Sequence, residues 1–272
     1  MIIKTNEYLP EFIFSANGEG FTMFDGLVKL DRSNLICIAA RPGMGKTSLA
    51  LHMAIEYASK NDKAVYIFSH EMSAEQIYSR MLCYIAEVDS YSMRNLELSE
   101  AEVERLAAAI EKLQKLNIII NDEPFLTVTQ MEEKIQDIDS VGLIIIDYLQ
   151  LIKANEMREK RPQELIEISR SLKILSKKKN IPIVIISQLD RRIESRKDKR
   201  PMLSDLTRTI GGGDSDLDTA IFIYREEYYE LDEGDKNYTE AEICIAKNRF
   251  GSTGCLKYKW EGRFTKFSRI EA

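Results

Sequence analysis

The sequence predicts an α/β fold: a mostly parallel sheet flanked by helices, with C-terminal antiparallel strands. Three observations carry that expectation. Short apolar runs recur at residues 35–39, 64–69, 142–146, 181–187 and 220–224, the composition of strands buried on both faces. Helix-like runs with recognisable start signals lie between them. From Glu242 onward apolar and polar residues alternate instead, as in Leu256, Tyr258 and Trp260, and glycines mark the turns. Strands alternating with helices and then a terminal meander make one such layered domain.

The elements follow in order. Residues 1–20 hold Pro10, Gly18 and Gly20, show little periodicity, and read as an N-terminal arm; the domain itself is expected over 21–272. The run 35–39 is the first core strand, and a helix over 47–59 turns Leu49, Met53, Ile55 and Tyr57 inward. After the strand 64–69, Ser73 and Gln76 have capping-box spacing and open a helix to about residue 86. Ser99 and Glu102 repeat that spacing for a helix to about 116, and Thr129 and Glu132 for one to about 138, with a short strand over 118–120 between them. The strand 142–146 ends at Asp147. Pro162 suits the first turn of a helix running to 179. Residues 190–201 are polar and highly charged. The last strands are expected over 243–246, 254–260 and 264–268, the third with Phe264, Lys266 and Ser268 on one face. No repeat, low-complexity segment or linker divides the chain.

Composition narrows the classes. The 272 residues are 30% charged and 44% hydrophobic, an ordinary globular balance. A net charge of −6 excludes a globally basic nucleic-acid binder and leaves room for a local basic site. Cys37, Cys83, Cys244 and Cys255 lack metal-ligand spacing and read as buried free thiols in a reducing cytosol, hence a cytoplasmic protein. Two histidines, His52 and His70, argue against a histidine-rich metal site. No apolar run approaches the roughly 20 residues of a membrane span, and the N-terminus lacks the pattern of a signal peptide.

The chemistry centres on Ala40-Arg41-Pro42-Gly43-Met44-Gly45-Lys46-Thr47, between a strand and a helix. That context suits a phosphate-binding loop over Arg41, Pro42, Gly43, Met44, Gly45, Lys46, Thr47 and Ser48. Small residues let successive N–H groups curl around an anion, and the helix N-terminus adds donors and a positive dipole end. Lys46 would reach the β- and γ-phosphates and the Thr47 hydroxyl would sit on Mg²⁺. Ala40 stands where the strict pattern has glycine. Asp147, at the carboxyl end of a buried strand, suits a Mg²⁺-holding acid opposite Thr47. Glu71, just past the second strand, is either a water-orienting base or a first-turn carboxylate favoured by the helix dipole. Gln188 is either a γ-phosphate contact or a polar strand end. Lys247 and Arg249, two apart on a strand, share a face, as a solvated edge or as a phosphate clamp for a neighbouring subunit. Arg191, Arg192, Arg196, Lys197, Lys199 and Arg200 make a local basic excess, followed by Arg208 and the mobile run Gly211-Gly212-Gly213. That stretch reads either as a surface flap or as a sequence-independent contact to single-strand phosphates.

Several ordered blocks, AARPGMGKTSLAL, YIFSHEMSAEQI, LIIIDYLQLI, VIISQLDRRIESRKDKRPMLSDL, AIFIYREE and AKNRFGSTG, resemble the C-terminal ATPase domain of the DnaB replicative helicase family. The resemblance runs from about residue 20 to the end. It implies a RecA-like P-loop NTPase core that uses ATP and Mg²⁺, with alanine acceptable at position 40. It implies that Lys46 and Thr47 bind phosphate and Mg²⁺, that Asp147 is the Walker B acid, that Glu71 activates water and that Gln188 senses the γ-phosphate. Lys247 and Arg249 match the pair that reaches the ATP of the adjacent subunit, which implies a homo-hexameric ring. Implied partners are single-stranded DNA and a primase or helicase loader. The segment SDLTRTIGGGDSDLD departs from the family's SDLRESG pattern where the family contacts DNA, leaving Arg208, Gly211, Gly212 and Gly213 as the DNA-contact candidates. The expected function is therefore an ATP-dependent DNA helicase motor. The alternatives are a RecA- or KaiC-like ATPase that does not unwind, and a non-motor protein that binds a helicase or its loader.

Overall fold

The computed structural model describes residues 14–17, 20–23, 28–30, 33–138, 140–155, 160–229 and 238–270. Strands β1 (Phe14–Asn17), β2 (Gly20–Met23) and β3 (Val28–Leu30) form a small antiparallel sheet. The β1–β2 pairing spans residue 20, where the arm was expected to end; residues 1–13 lie outside the described residues.

The main body then alternates. Its elements are β4 (Leu35–Ala40), α1 (Lys46–Lys60), β5 (Ala64–Ser69), α2 (Ala74–Ala86), α3 (Ser90–Asn95), α4 (Glu100–Gln114) and β6 (Ile118–Asn121). There follow α5 (Val128–Gln136), β7 (Val141–Asp147), α6 (Arg161–Lys179), β8 (Ile183–Gln188), α7 (Leu203–Thr209) and β9 (Thr219–Tyr224). Three antiparallel strands end the chain: β10 (Thr239–Asn248), β11 (Gly254–Glu261) and β12 (Lys266–Arg269). They join one nine-stranded sheet in the order β12-β11-β10-β9-β4-β8-β7-β5-β6. Strands β9 through β6 run parallel, and β10, β11 and β12 extend the sheet antiparallel.

Alternation along each parallel strand feeds two cores. Ile36, Ile38, Val65, Ile67, Leu143 and Ile145 face α1 and α2. Leu35, Cys37, Tyr66, Phe68, Ile144 and Ile146 face α5 and α6. Each Ile, Leu, Val or Phe among them contributes about 1.5–3 kcal/mol on burial. Residues 48–58 of α1 are all buried, because α1 packs on the sheet, β12 included, and against α2.

Local signals placed most helices. The boxes Ser73–Gln76 and Ser99–Glu102 both form. The α5 cap is Thr127 with Gln130, two residues before the expected one, and α3 and α7 were not anticipated. In β12 the inward residue is Phe267, not Phe264, which lies in a 3-10 turn at Gly262–Phe264. The free-thiol expectation fails for half of the cysteines. Cys244 and Cys255 stand opposite each other in the β10–β11 register and are joined by a disulfide, whereas Cys37 and Cys83 are buried and free. Among the described residues no helix is long and apolar enough to cross a membrane.

Candidate active site

The carboxyl ends of β4, β5, β7 and β8 converge on one cavity of about 300 Å³. Ligand crevices of open parallel sheets lie at such strand ends. The loop after β4 enters α1 through two left-handed residues, Gly43 at φ 74° and Gly45 at φ 98°. Both positions are crowded as well: a Cβ on Gly45 would lie 2.7 Å from the Phe267 ring, and one on Gly43 2.9 Å from Tyr228. Gly45 heads α1 with no side-chain cap, so the first-turn N–H groups are left for an anion.

Lys46 Nζ donates to the Arg41 carbonyl at 3.0 Å. Burial pushes its pKa down to about 8, outweighing the upward pull of Asp147 and Glu71. An ammonium so desolvated gains most from a nearby anion, and a phosphate beside it would raise that pKa again. Thr47 Oγ1 donates to Asp147 Oδ2 at 2.7 Å. Asp147 is 2% exposed, burial raises its pKa, and its Oδ1 is buried without a hydrogen-bond partner. A desolvated carboxylate oxygen beside a hydroxyl is a donor set that fits Mg²⁺, which takes oxygen ligands and usually only one or two carboxylates. Accordingly, no cluster of three or more metal-ligating side chains occurs among the described residues.

Glu71 is exposed and lines the same cavity. Its turn is anchored on both sides: His70 N–H donates to the Asp147 carbonyl at 2.8 Å, and Ser69 Oγ donates to the Met72 carbonyl at 2.7 Å. Gln188 ends β8 opposite Ala40 and also lines the cavity. Gln150 braces it, accepting from Gln188 N–H and donating to the Gln188 carbonyl, each at 3.3 Å, and donating to Ser187 Oγ at 2.9 Å.

The cavity thus gathers Lys46, Thr47, Ser48, Glu71, Asp147 and Gln188, with Pro42, Gly43 and Gly45 of the loop. Two loop residues point elsewhere. Met44 is core, and Arg41 pairs with Glu194 at 2.9 Å and donates to the Leu189 carbonyl at 2.7 Å. Sequence reasoning missed Arg80, Tyr148 and Trp260 on the cavity wall. Arg80 comes from the second turn of α2, and only the crossing of α2 over the strand ends brings it there.

Lys247 and Arg249 are not at this cavity. Lys247 pairs with Ala220 and Asn248 with Thr219, at the start of β9; Thr219 in turn pairs with Ile36, at the start of β4. The phosphate loop leaves the other end of β4, some 15–20 Å away for a strand of that length. Arg249 lies one residue beyond β10, after an irregularity between Ile245 and Lys247, so the two do not share a regular strand face as expected. They still converge. Lys247 donates to the Asp214 carbonyl at 2.6 Å, and Arg249 donates to the Ser215 carbonyl at 2.6 Å and pairs with Asp218 at 3.2 Å. Burial lowers the Lys247 pKa, and the Arg249 charge adds to that.

The glycine run is packed rather than a mobile loop. A Cβ on Gly211 would lie 2.5 Å from the Pro162 carbonyl oxygen at the start of α6. Gly212 and Gly213 donate their N–H groups to Thr207 and Ile210, and the Gly213 carbonyl accepts from Ser169. Those two N–H groups are therefore engaged within the chain. Arg208 remains exposed on α7. Much of the basic run is likewise engaged internally: Arg196 pairs with Asp205 at 2.9 Å, and Arg200 with Glu242 at 2.7 Å while lying over the Tyr224 ring. Arg191 and Lys197 are exposed.

Proteins of known family and fold resemble this chain. The replicative DNA helicase DnaB of Geobacillus stearothermophilus is 39% identical over 282 residues, covering 100% of this chain and 61% of that protein. The replicative DNA helicase DnaC of Bacillus subtilis is 38% identical over 257 residues, covering 93% of this chain and 56% of that one. The chain therefore spans about three-fifths of the length of these relatives. A solved DnaB-like replicative helicase, described with its interactions with primase, superposes with a TM-score of 0.81 at 30% identity, covering 89% of this chain and 58% of that one. A solved ATPase domain superposes with a TM-score of 0.80 at 31% identity, covering 89% and 86% of the two chains. The pattern of the DnaB-like helicase C terminal domain matches residues 18–269, and the chain belongs to that family.

Proposed function

We propose that residues 21–272, with residues 1–20 as an arm, form the ATPase motor of a replicative DNA helicase that acts as a homo-hexameric ring on single-stranded DNA. Thr47 and Asp147 would hold Mg²⁺, which would supply electrostatic stabilisation to the phosphoryl group being transferred. The chain's own residues do the rest. The loop N–H groups and Lys46 hold the β- and γ-phosphates in line. Glu71 orients water and accepts its proton. Gln188, braced by Gln150, reports the γ-phosphate to the loop that follows β8. Lys247 and Arg249 of one copy complete the site of the next, where a transition-state arginine is worth on the order of 10³–10⁵ in rate. Arg208 and the exposed Arg191 and Lys197 offer phosphate contacts to the DNA strand. A primase or a helicase loader is the expected protein partner.

The single observation that carries this reading is the division of the site. Lys46, Thr47, Glu71, Asp147 and Gln188 lie at one end of the sheet, and Lys247 and Arg249 at the other. The test is ATPase rate against protein concentration, with and without single-stranded DNA, together with strand displacement on a forked duplex. A rate per chain that climbs steeply with concentration and rises with DNA supports the ring motor. A rate independent of both sinks it, and DNA-stimulated turnover without strand displacement reassigns the chain to a non-unwinding ATPase.

A further inference from the structure

Asp218 is 1% exposed, yet it joins three parts of the molecule. Its Oδ2 accepts from the Leu35 N–H at 2.8 Å and from Lys173 Nζ at 2.5 Å. Its Oδ1 pairs with Arg249 Nη1 at 3.2 Å. Its main chain is engaged as well: Asp218 N–H donates to the Leu35 carbonyl, and Arg249 N–H donates to the Asp218 carbonyl, both at 2.9 Å. One buried residue thus ties the first residue of β4 and helix α6 to Arg249, through main chain and side chain together.

Arg249 is held on one side only. Its side chain is 46% exposed, and its two named contacts, to Asp218 and Ser215, both turn back into its own chain. A guanidinium carries five N–H donors in a rigid plane, so the bonds from Nη1 to Asp218 and from Nη2 to Ser215 fix that plane and leave three donors for another group. The anchor is stiff. Asp218 precedes β9, which is buried along its whole length, and Lys173 is itself fixed by the Ser33 carbonyl at 2.8 Å. A buried carboxylate is stable when it is paired and hydrogen-bonded, and both oxygens of Asp218 are.

We infer that Asp218 is the positioning residue of Arg249, setting the angle at which the guanidinium is presented to the phosphates of the neighbouring copy. The inference rests on the reading of Arg249 as acting across a subunit contact. Asp218 touches no substrate. It removes, in advance, the freedom a long side chain would otherwise lose on meeting its target. Because it also holds the start of β4, whose far end carries the chain's own phosphate loop, it links the group a chain lends to the strand behind the site it owns.

The test is a double-mutant comparison of steady-state ATP turnover in the assembled protein, with melting temperature followed for every variant. The chains are wild type, Asp218→Asn, Asp218→Glu, Arg249→Ala and the double variant Asp218→Asn/Arg249→Ala. Asp218→Asn is expected to lower kcat by about tenfold to a hundredfold, the scale of a misplaced group, with KM for ATP nearly unchanged. The double variant is expected to turn over no more slowly than Arg249→Ala alone, since Asp218 acts through Arg249. Asp218→Glu keeps the charge but displaces it, and recovers part of the loss. Should Asp218→Asn fail to fold, Asp218→Glu in the two backgrounds carries the same comparison. A further drop on adding the Asp218 change to Arg249→Ala overturns the positioning role. So does a normal kcat in Asp218→Asn while Arg249→Ala is slow. An unchanged kcat in Arg249→Ala itself overturns the reading of that arginine, and the positioning role with it.

Discussion

The Thr47 hydroxyl donates to Asp147 Oδ2 at 2.7 Å, joining the first turn of α1 to the end of β7, two strands away in the sheet from β4. That contact places the two residues best suited to Mg²⁺ against each other, with Asp147 Oδ1 buried and unpartnered beside them. Asp147→Asn keeps the shape and removes the charge. We expect it to raise the Mg²⁺ concentration needed for ATP binding by at least about 10–100-fold, the scale for losing even an outer-shell partner of a metal site. A Mg²⁺ titration of nucleotide binding checks this, and an unchanged half-saturation point would overturn the assignment.

Glu71 lines the cavity while its flanking main chain is pinned to β7 and to Met72. Replacing it with glutamine should leave the backbone turn intact. Nucleotide affinity is expected to stay within a few-fold and turnover to fall by about 10²–10⁴-fold, the range for a general base. Equilibrium binding and single-turnover hydrolysis separate the two quantities. Retained turnover would remove Glu71 from the chemistry.

Lys46 gives the site a pH signature. With its pKa brought down to about 8 by burial, the ammonium is charged in the free protein below that value and neutral above it. Phosphates favour the charged form, so ATP binding above pH 8 takes up a proton, and affinity falls by up to about tenfold per pH unit there. The sign for stability is the reverse. The unfolded chain holds this proton up to about pH 10.4, so between the two values it binds more protons than the native state, and this group makes stability rise with pH. Calorimetry in buffers of different ionisation enthalpy measures the proton uptake; none at pH 9 would contradict a buried Lys46 on the phosphates.

The Cys244–Cys255 bridge closes the β10–β11 hairpin just before the turn that carries Arg249. Cys255→Ser, or reduction of the wild-type protein, is expected to cost about 2–3 kcal/mol, the loop-closure value for so short a loop. Melting curves with and without reductant test it: the wild type should lose stability on reduction and the variant should not respond. Equal melting of both proteins in both conditions would show that the bridge contributes nothing.

Legibility followed the range of the interactions. Five of the six parallel strands were readable because burial on both faces leaves an unbroken apolar run, and the loop 40–47 because its conformation depends on adjacent residues. Thr127–Gln130 and Thr129–Glu132 are overlapping capping-box matches; the first forms because it lets Val128, Met131 and Ile135 reach the core, a decision made by packing. The Gly262–Phe264 turn, with Thr265 at φ 52°, shifts the phase so that Phe267 is buried. No local pattern reveals that shift. The disulfide depended on strand register, and the packed glycines on the start of α6. Arg80 and Trp260 reach the cavity only through tertiary geometry, so no spacing rule could have found them.

The opposite-end placement of the phosphate loop and the Lys247–Arg249 pair has a counting consequence. When each contact between copies completes one site, a linear run of n chains holds n − 1 working sites and always ends in an idle one, whereas a closed circle of n holds n. Closure then adds a full active site without adding a chain. A break at any single contact, such as one opened to admit a DNA strand, silences one site and leaves the others complete.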